Sequence, residues 1–229
     1  MRRSLFLQVD IMRILITAGG TREYIDPVRY ISNASSGRMG YALARAAQRA
    51  GHKVTLIAAP TSLRKPDVTQ VVRVETAAQM FAAVKKYFDK CDCLIMAAAV
   101  ADYTPVSKSK VKIKKSKSCL TIRLKPIDDI LEWAAKHKKV RPSGEVKEEK
   151  RILVGFALES KGLRQNAAKK LTDKSLDMIV ANTPAAIGSD KSTVHIKTTQ
   201  SAWEKIENTG KNAIAKKIIL MITQLRNQA

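Results

Sequence analysis

The feature that most constrains this chain is a series of apolar segments of strand length, separated by helical patterns. Such segments occur at Arg13–Ala18, at Lys53–Pro60 and in the runs 92–103, 151–159 and 176–182. Strands that are apolar on both faces are typical of parallel sheets buried beneath helices. The alternation therefore predicts an α/β chain with a mostly parallel, doubly wound sheet and helices on both of its faces. We describe the expected fold as Rossmann-like.

The stretch 107–125 departs from this pattern, because it holds eight Lys or Arg residues and no acidic residue. Apolar and basic residues alternate at Val111–Lys114 and at Leu120–Leu124, which predicts two strands joined by a Lys/Ser-rich turn. A hairpin of this composition would be exposed and basic. We therefore expect a flap beside the strand ends, after which the α/β pattern resumes with an edge strand at 192–198 and a closing helix at 212–228.

The first eleven residues hold two arginines and a short apolar patch, interrupted by Gln8 and Asp10. The patch is too short for a signal peptide and lacks a small-residue cleavage site. We interpret residues 1–11 as an N-terminal extension. Because no repeat or linker follows, residues 12–229 are predicted to form a single domain.

Charge and composition limit the function. The 229 residues carry 42 Lys plus Arg against 20 Asp plus Glu, a formal charge of +22, which is compatible with nucleic acid or with anionic small substrates. Aromatic residues are only 5% of the chain and none interrupts the basic run, so the stacking surface of single-strand binders is missing. No apolar run is long enough to cross a bilayer. Three unevenly spaced cysteines predict reduced thiols and a cytoplasmic protein.

The loop after the first strand is the strongest indication of a site. In doubly wound sheets, ligands bind beyond the carboxyl ends of the strands and at helix N-termini. Gly19 and Gly20 allow close backbone approach there, and Ser35, Ser36 and Gly37 directly precede a helix. One serine would suffice for a helix cap, so a run of small polar residues favours an anion site. The loop matches neither a dinucleotide-binding glycine motif nor a P-loop.

Two other strand ends and the flap carry residues that could have either a binding role or a purely structural one. Asp102 could bind ribose hydroxyls or a base, or cap a turn. Phe156 could be a core residue or a stacking wall. The lysines at 112, 114 and 115 could form a solvated surface, or a flap that closes on phosphates.

Several sequence blocks in this chain resemble phosphopantothenate–cysteine ligase, also called phosphopantothenoylcysteine synthetase. The resemblance covers nearly the whole chain from Met12. The matching blocks are ITAGGTREYIDPVRYISNASSGRMG, AAAVADYTP, KIKK, LTIRL, VGFALE and KKLTDKSLDMIVAN. In many bacteria this unit follows a flavin-dependent decarboxylase half, to which nothing here corresponds. The resemblance therefore implies a free-standing ligase, with a separate phosphopantothenoylcysteine decarboxylase as its pathway partner.

The resemblance also implies a reaction. A nucleoside triphosphate, typically CTP, activates the carboxylate of 4′-phosphopantothenate as an acyl-nucleotide, and the amine of L-cysteine then attacks. The product, 4′-phosphopantothenoylcysteine, is an intermediate of coenzyme A biosynthesis. Because most of these substrates are anionic, a basic pocket mouth is expected, with Mg²⁺ on the triphosphate. The metal ligands are not predicted.

Site residues follow from the same resemblance. Asn33 is expected to contact the activated acyl group, and Lys112 to neutralise the triphosphate during activation. The expected substrate-binding residues are Arg29, Ser35, Ser36 and Gly37. The expected nucleotide-binding residues are Ala97, Ala98, Asp102, Lys112, Asp128, Asp129, Ile130, Leu131, Phe156, Lys170 and Lys174.

The chain departs from the family pattern in two places. Ile127–Ile130 reads IDDI where relatives usually read Asn-Pro-Asp-Ile, and Arg38 replaces a common lysine. The first departure leaves backbone contacts to a base possible, and the second keeps the charge. The resemblance further implies a homodimer, with the flap and the RYISN loop near the partner.

Two other functions compete with the ligase. A nucleic-acid-binding basic α/β protein would explain the charge, but not the long first loop. A Rossmann-like oxidoreductase should show a compact glycine-rich turn and an acid after the second strand, where this chain reads AAP. We therefore expect no nucleic-acid partner and no membrane association.

Overall fold

The computed structural model describes residues 10–138 and 151–228. Most of the predicted extension 1–11 and the predicted surface loop at 142–150 lie outside the described residues. Met12 is almost completely buried, whereas Ile11 is exposed. The domain boundary at residue 12 stays a prediction.

The described residues contain short strands near the first loop and the flap, and longer ones in the core. The strands are β1 Arg13–Ala18, β2 Arg22–Tyr24, β3 Tyr30–Ser32, β4 Lys53–Ala58, β5 Gln70–Arg73, β6 Cys93–Met96, β7 Tyr103–Pro105, β8 Leu124–Pro126, β9 Ile152–Leu158, β10 Met178–Asn182, β11 Lys191–Thr198 and β12 Glu204–Gly210. The helices are α1 Arg38–Arg49, α2 Ala77–Phe88, α3 Ile130–Lys136, α4 Leu163–Asp173 and α5 Lys211–Asn227, with a 3₁₀ turn at Pro184–Ala186.

The central sheet has the order β12-β11-β10-β9-β6-β1-β4-β5 in the described part of the chain. The strands from β10 to β5 are mutually parallel, and β11 and β12 are added antiparallel at one edge. From β1 the chain proceeds to β4 on one side and later returns to β6 on the other. The crevice at this reversal is where ligands bind in such sheets. The predicted α/β doubly wound fold is confirmed.

Helices cover both faces, as predicted. Helices α1 and α5 pack on one face, where Leu43 and Ile218 are completely buried. Helices α2, α3 and α4 pack on the other, around Met80 and Leu171. These apolar stripes follow the helical spacing of the sequence, which lets each helix bury one side against the sheet.

Local sequence explains where α1 lies and ends. Gly40 faces β1 so closely that an added Cβ would stand 2.5 Å from the Cβ of Ala18. Gly51 follows the helix with a φ of +86°, the left-handed conformation typical of a residue that ends a helix. The predicted helix end at Gly51 is confirmed.

The strand predictions at the flap were wrong. Val111–Lys114 and Leu120–Leu124 form no hairpin. The strands that do pair are β7 and β8, at the base of the predicted flap. Val111 and Leu120 are more than half exposed. Because these apolar side chains are not buried against the rest of the described chain, their alternation does not stabilise a strand. The loop that joins β7 to β8, residues 106–123, contains most of the segment 107–125 predicted as the flap, and it is this loop that is called the flap from here on.

The order of strands at the far edge also differs from the prediction. The strand predicted at 192–198 is present as β11 but is not the edge, because β12 pairs outside it. The predicted strand within 92–103 ends at Met96.

Cys91 and Cys93 are buried free thiols, and burial raises the pKa of Cys91 to about 12.

Candidate active site

A pocket of about 720 Å³ lies at the carboxyl ends of the parallel strands, at the crevice between β1 and β6. Its walls come from the loops after β1, β6, β9 and β10 and from the first turn of α3. The predicted site residues that line it are Asn33, Ser35, Ser36, Gly37, Ala97, Ala98, Asp102, Asp128, Asp129, Ile130, Leu131, Phe156 and Lys170. Residues predicted from widely separated motifs thus share one pocket. Arg29, Lys112 and Lys174 are not among its lining residues.

The first loop and the loop after β6 are joined by backbone hydrogen bonds. Gly20 and Ala99 form an isolated parallel bridge, in which the N–H of Ala99 donates to the carbonyl of Gly19 at 2.9 Å. The Thr21 hydroxyl accepts the N–H of Ala101 at 2.9 Å, and the Thr17 hydroxyl accepts that of Ala98 at 3.2 Å. These bonds fix the backbone that forms the pocket floor.

Helix α1 starts at the pocket without a side-chain cap. Gly37 is its N-cap, with a φ of +72° that favours glycine. The Ser35 hydroxyl accepts only the N–H of Gly37, at 3.3 Å, so the serines do not cap the first turn. Backbone N–H groups of an uncapped first turn carry partial positive charge and suit an anion. The alternative of plain serine capping is therefore wrong.

Asn33 lies on the pocket wall between the two loops. One N–H of its side-chain amide donates to the carbonyl of Val100 at 2.9 Å. A side-chain amide has two N–H donors, so this bond orients the group and leaves a second donor for a ligand. That geometry is compatible with the role predicted for Asn33.

Two cations beside the start of α1 hold the loop after β10. Arg38 donates to the carbonyl of Gly188 at 3.0 Å and pairs with Asp190 at 2.5 Å. The Lys211 ammonium, at the start of α5, donates to the carbonyls of Ala186, at 3.1 Å, and Ser189. Burial and the neighbouring Arg38 lower the pKa of Lys211.

Lys211 was not predicted as a site residue, although it lines the pocket. Its sequence context, a lysine after Gly210 in a lysine-rich helix, belongs to no motif. The antiparallel strands β11 and β12 return the chain to the pocket, so the position of Lys211 depends on tertiary structure.

Lys170 and Phe156 form the opposite wall. The Lys170 ammonium donates to the carbonyl of Phe156 at 2.9 Å. Burial lowers the pKa of Lys170, and the carboxylates of Asp129 and Asp102 oppose that effect. Phe156 is half-buried, packing on the core while lining the pocket, so its core contact is confirmed and its role as a stacking wall stays a prediction.

The IDDI segment enters α3 at the pocket. Asp129 caps this helix by accepting the N–H of Glu132 at 3.0 Å. Lys174 lies 3.1 Å from the Asp129 carboxylate and 3.2 Å from that of Glu132. Lys174 thus pairs with two carboxylates at the start of α3 and does not line the pocket, and its predicted contact with the nucleotide stays a prediction.

Arg29 takes part in attaching the flap to the first loop, and Lys112 lies next to the attached residue. The buried Asp26 carboxylate accepts the N–H groups of Val28, Arg29 and Ile113, at 2.8, 2.8 and 3.2 Å. The Arg29 guanidinium pairs with Asp26 at 2.5 Å and donates to the carbonyl of Ile113 at 2.6 Å. Lys112 directly precedes this fastened residue and is exposed.

The environment of Asp26 favours the ionised form. Burial opposes ionisation, but the three N–H donors and the Arg29 guanidinium outweigh it and hold the pKa of this carboxyl well below its usual range. We call the contact of Asp26 and Arg29 with Ile113 the clamp, and its carboxylate is thus charged near neutral pH.

Comparison with known proteins gives the family. A model described as the DNA/pantothenate metabolism flavoprotein (DFP) C-terminal domain matches residues 9–225. The chain belongs to this family. The DFP chain is 44% identical over 177 residues to the "Coenzyme A biosynthesis bifunctional protein CoaBC" of Bacillus subtilis, covering 77% of this chain and 41% of that protein.

A second curated relative of this DFP chain has a different name. It is called "Cysteine/Cysteine sulfinic acid decarboxylase", comes from an unidentified prokaryote, and is 42% identical over 219 residues, covering 93% of this chain and 58% of that protein. The chain therefore spans about half the length of these curated relatives.

Solved structures agree with the family. The crystal structure of the C-terminal domain of CoaBC superposes with a TM-score of 0.78 at 34% identity, covering 95% of this chain and 96% of that domain. The family resemblance predicted from the sequence motifs is confirmed for this domain.

Within 10–138 and 151–228, no helix is both long and apolar enough to cross a bilayer. The same residues contain no group of three or more His, Cys, Asp or Glu side chains placed to hold a metal ion.

Proposed function

We propose that this chain is a phosphopantothenate–cysteine ligase that uses CTP. The observation that carries the proposal is the meeting of the NASSG turn and the AAAVAD segment in one pocket, at the uncapped start of α1. Both segments belong to motifs that resemble the ligase family, and the chain aligns with the C-terminal domain of CoaBC over nearly its whole length.

The reaction has two steps. In the first, a carboxylate oxygen of 4′-phosphopantothenate attacks the α-phosphorus of CTP, and the bond to pyrophosphate breaks. In the second, the amine of L-cysteine attacks the acyl carbon, CMP leaves with the original carboxylate oxygen, and the amine loses a proton. The product is 4′-phosphopantothenoylcysteine. Protein groups must therefore neutralise phosphate charge first and polarise an acyl carbonyl second.

The pocket offers separate groups for these two tasks. The open N–H groups of α1 and the Lys211 ammonium beside them form a cationic end that suits the triphosphate, and Arg38, which pairs with Asp190, lies at the same end. Asn33 lies on the pocket wall, and its second amide N–H would donate to the acyl carbonyl oxygen. Lys112 would reach the phosphates from the flap.

Mg²⁺ fits this pocket as an ion that arrives with the triphosphate. Mg²⁺ usually takes one or two protein carboxylates plus phosphate oxygens and water, and Asp102 and Asp128 line the pocket. When bound, it would neutralise charge on the triphosphate and favour departure of pyrophosphate.

The test is direct. Purified protein is incubated with 4′-phosphopantothenate, L-cysteine, Mg²⁺ and each nucleoside triphosphate in turn, and products are detected by mass. We expect 4′-phosphopantothenoylcysteine and CMP with CTP, and an acyl-cytidylate when cysteine is omitted. Absence of the amide product with every triphosphate would contradict the proposed function, and product with ATP alone would contradict the choice of CTP.

We also propose a homodimer formed through the two-stranded sheets β2–β3 and β7–β8. Apolar side chains that are at least one-third exposed cluster on β3, β7, β8 and the adjoining loops; they are Val28, Tyr30, Ile31, Tyr103, Val106 and Leu124. An apolar surface of this kind is typical of a subunit interface. Sedimentation of the wild type should give twice the chain mass, and Ile31→Lys should give a monomer.

The pathway position follows from the product. The cysteinyl carboxylate of 4′-phosphopantothenoylcysteine is the group that a separate phosphopantothenoylcysteine decarboxylase would remove. We place this reaction in the cytoplasm, where free cysteines such as Cys91 and Cys93 stay reduced.

A further inference from the structure

A second cavity, of about 570 Å³, lies on the other side of the first loop from the candidate active site. It opens at the carboxyl ends of β4 and β5, between Arg22 of β2 and Tyr41 of α1. No residue within 10–138 and 151–228 lines both cavities. Its volume is within the range of small-molecule sites.

Tyr41 is one of the polar residues that line this cavity. Only 4% of the residue is exposed, yet it lines the cavity, and its hydroxyl is not among the fully enclosed polar atoms. Within the described residues this hydroxyl has no hydrogen-bond partner. Burial raises the pKa of Tyr41, which keeps the hydroxyl a neutral donor at physiological pH. A nearly buried hydroxyl that opens into a cavity without a partner is available to a ligand.

Positive charge surrounds the mouth of the cavity. Arg22, Lys65 and Arg73 line it, against one carboxylate, Glu75. Glu75 already accepts the Tyr24 hydroxyl at 2.6 Å and lies 3.8 Å from the Arg22 guanidinium. Lys65 and Arg73 form no ion pair with any described residue, so two positive charges remain for a ligand.

Short apolar side chains also line the cavity. They come from the strand ends and the residues that follow them, namely Ala58, Ala59, Val71 and Val74. A ligand matched to these walls would join an anionic group to a small apolar or flat body.

We propose that this cavity is a second binding site, for a small phosphate monoester. The Tyr41 hydroxyl would donate to a phosphate oxygen, while Lys65 and Arg73 would balance its two negative charges. A dianion matches two unpaired cations better than a carboxylate does, because a carboxylate brings one charge. The proposal concerns binding alone and does not depend on the ligase function.

The two cavities share a wall, which gives the second site a route to the first. Thr61 lines the second cavity, and its hydroxyl donates to the carbonyl of Ser36 at 3.0 Å. Ser36 directly precedes the N-cap of α1 in the first pocket. A ligand that displaces Thr61 would therefore move the start of this helix.

The first experiment locates the site. Phenyl phosphate is titrated into ¹⁵N-labelled protein while backbone amide signals are followed by NMR, with benzoate as the comparison ligand. We expect saturable shifts at Ser62, Val74 and Glu75 and tighter binding of phenyl phosphate than of benzoate. Shifts confined to first-pocket residues such as Ala98 and Gly188, or equal affinity for both ligands, would overturn the proposal.

The second experiment identifies the groups that bind. Calorimetry should show that Arg73→Ala and Tyr41→Phe each weaken phenyl phosphate binding at this site about tenfold, the size expected for a lost bond to a charged group. Arg64→Ala removes an exposed cation that does not line the cavity and should change nothing. An Arg73→Ala protein that binds as tightly as the wild type would overturn the proposal; because Arg73 is exposed, this variant should fold normally.

Discussion

The Asp26 carboxylate accepts the backbone N–H of Ile113 at 3.2 Å, across 87 positions of the sequence. The Arg29 guanidinium holds the carbonyl of the same residue, so both polar groups of Ile113 are engaged. One peptide segment of the flap is thus fastened to the loop after β1. This contact sets the position of Lys112, whose side chain is exposed beside it.

The clamp predicts the behaviour of an Asp26→Asn variant. The amide keeps the shape but loses the charge that pairs with Arg29, so the flap should detach more often. Trypsin should then cleave after Lys112 and Lys114 several-fold faster than in the wild type. Asp67→Asn, at an exposed carboxylate without an ion pair among the described residues, is the matched control. Equal cleavage of all three proteins would show that the clamp does not restrain the flap.

The low pKa of Asp26 predicts a pH dependence of stability. A carboxyl whose pKa is lower in the folded state stabilises that state fully above its unfolded pKa, about 3.9, and loses the effect as pH falls below that value. The wild type should therefore have a larger free energy of unfolding than Asp26→Asn. This difference should be constant from pH 7 to about pH 5 and shrink below about pH 4. Urea unfolding across this range measures it, and a difference that does not change with pH would refute the assignment.

Lys211 should contribute to binding of the triphosphate. Lys211→Met removes a half-buried charge at the cationic end of the pocket, and CTP affinity should fall roughly tenfold or more, as for a lost bond to a charged group. Lys216→Met, at an exposed position of the same helix, should leave affinity unchanged. Calorimetric titration with CTP compares the two. Equal affinities in both variants would place the phosphates elsewhere.

Lys112 and Asn33 should fail at different steps. Lys112→Ala should slow carboxylate activation, with no intermediate accumulating, because it removes charge that opposes the triphosphate. Asn33→Asp should allow activation but replace the donor at the acyl carbonyl with an anion, so an acyl-cytidylate should accumulate and be detectable by mass after quenching. Lys117→Ala, an exposed flap variant, is the control for general loss of flap charge. If Asn33→Asp abolishes pyrophosphate release, Asn33 does not act in the second step.

The sequence predicted those parts of the fold that have a strong apolar signal. The β1, β4, β9 and β10 strands are apolar on both faces, and the helices between them predict a doubly wound, mostly parallel sheet. Strand β12 was missed because Glu204–Gly210 is polar and half-exposed, as an edge strand can be. The flap strands were wrongly predicted because apolar and basic residues alternate there, although the apolar side chains have no surface to pack against.

The candidate site was predictable where its residues belong to motifs at strand ends. The segments around Asn33 and Asp102 follow β1 and β6, and adjacent parallel strands bring them to one edge. Lys211 could not be found in this way, because its place depends on β11 and β12 turning the chain back. The clamp on Ile113 was also beyond the sequence, since a buried aspartate in a loop does not indicate which distant N–H it accepts.

Transfer of oxygen from phosphopantothenate to CMP tests the central claim most directly. The carboxylate of 4′-phosphopantothenate is labelled with ¹⁸O, and the protein is supplied with CTP, L-cysteine and Mg²⁺. Ligation through an acyl-cytidylate predicts one ¹⁸O atom in each CMP formed and none in pyrophosphate, because the carboxylate oxygen that attacks the α-phosphorus leaves with it. Amide product accompanied by unlabelled CMP, or by label in inorganic phosphate, would contradict the account.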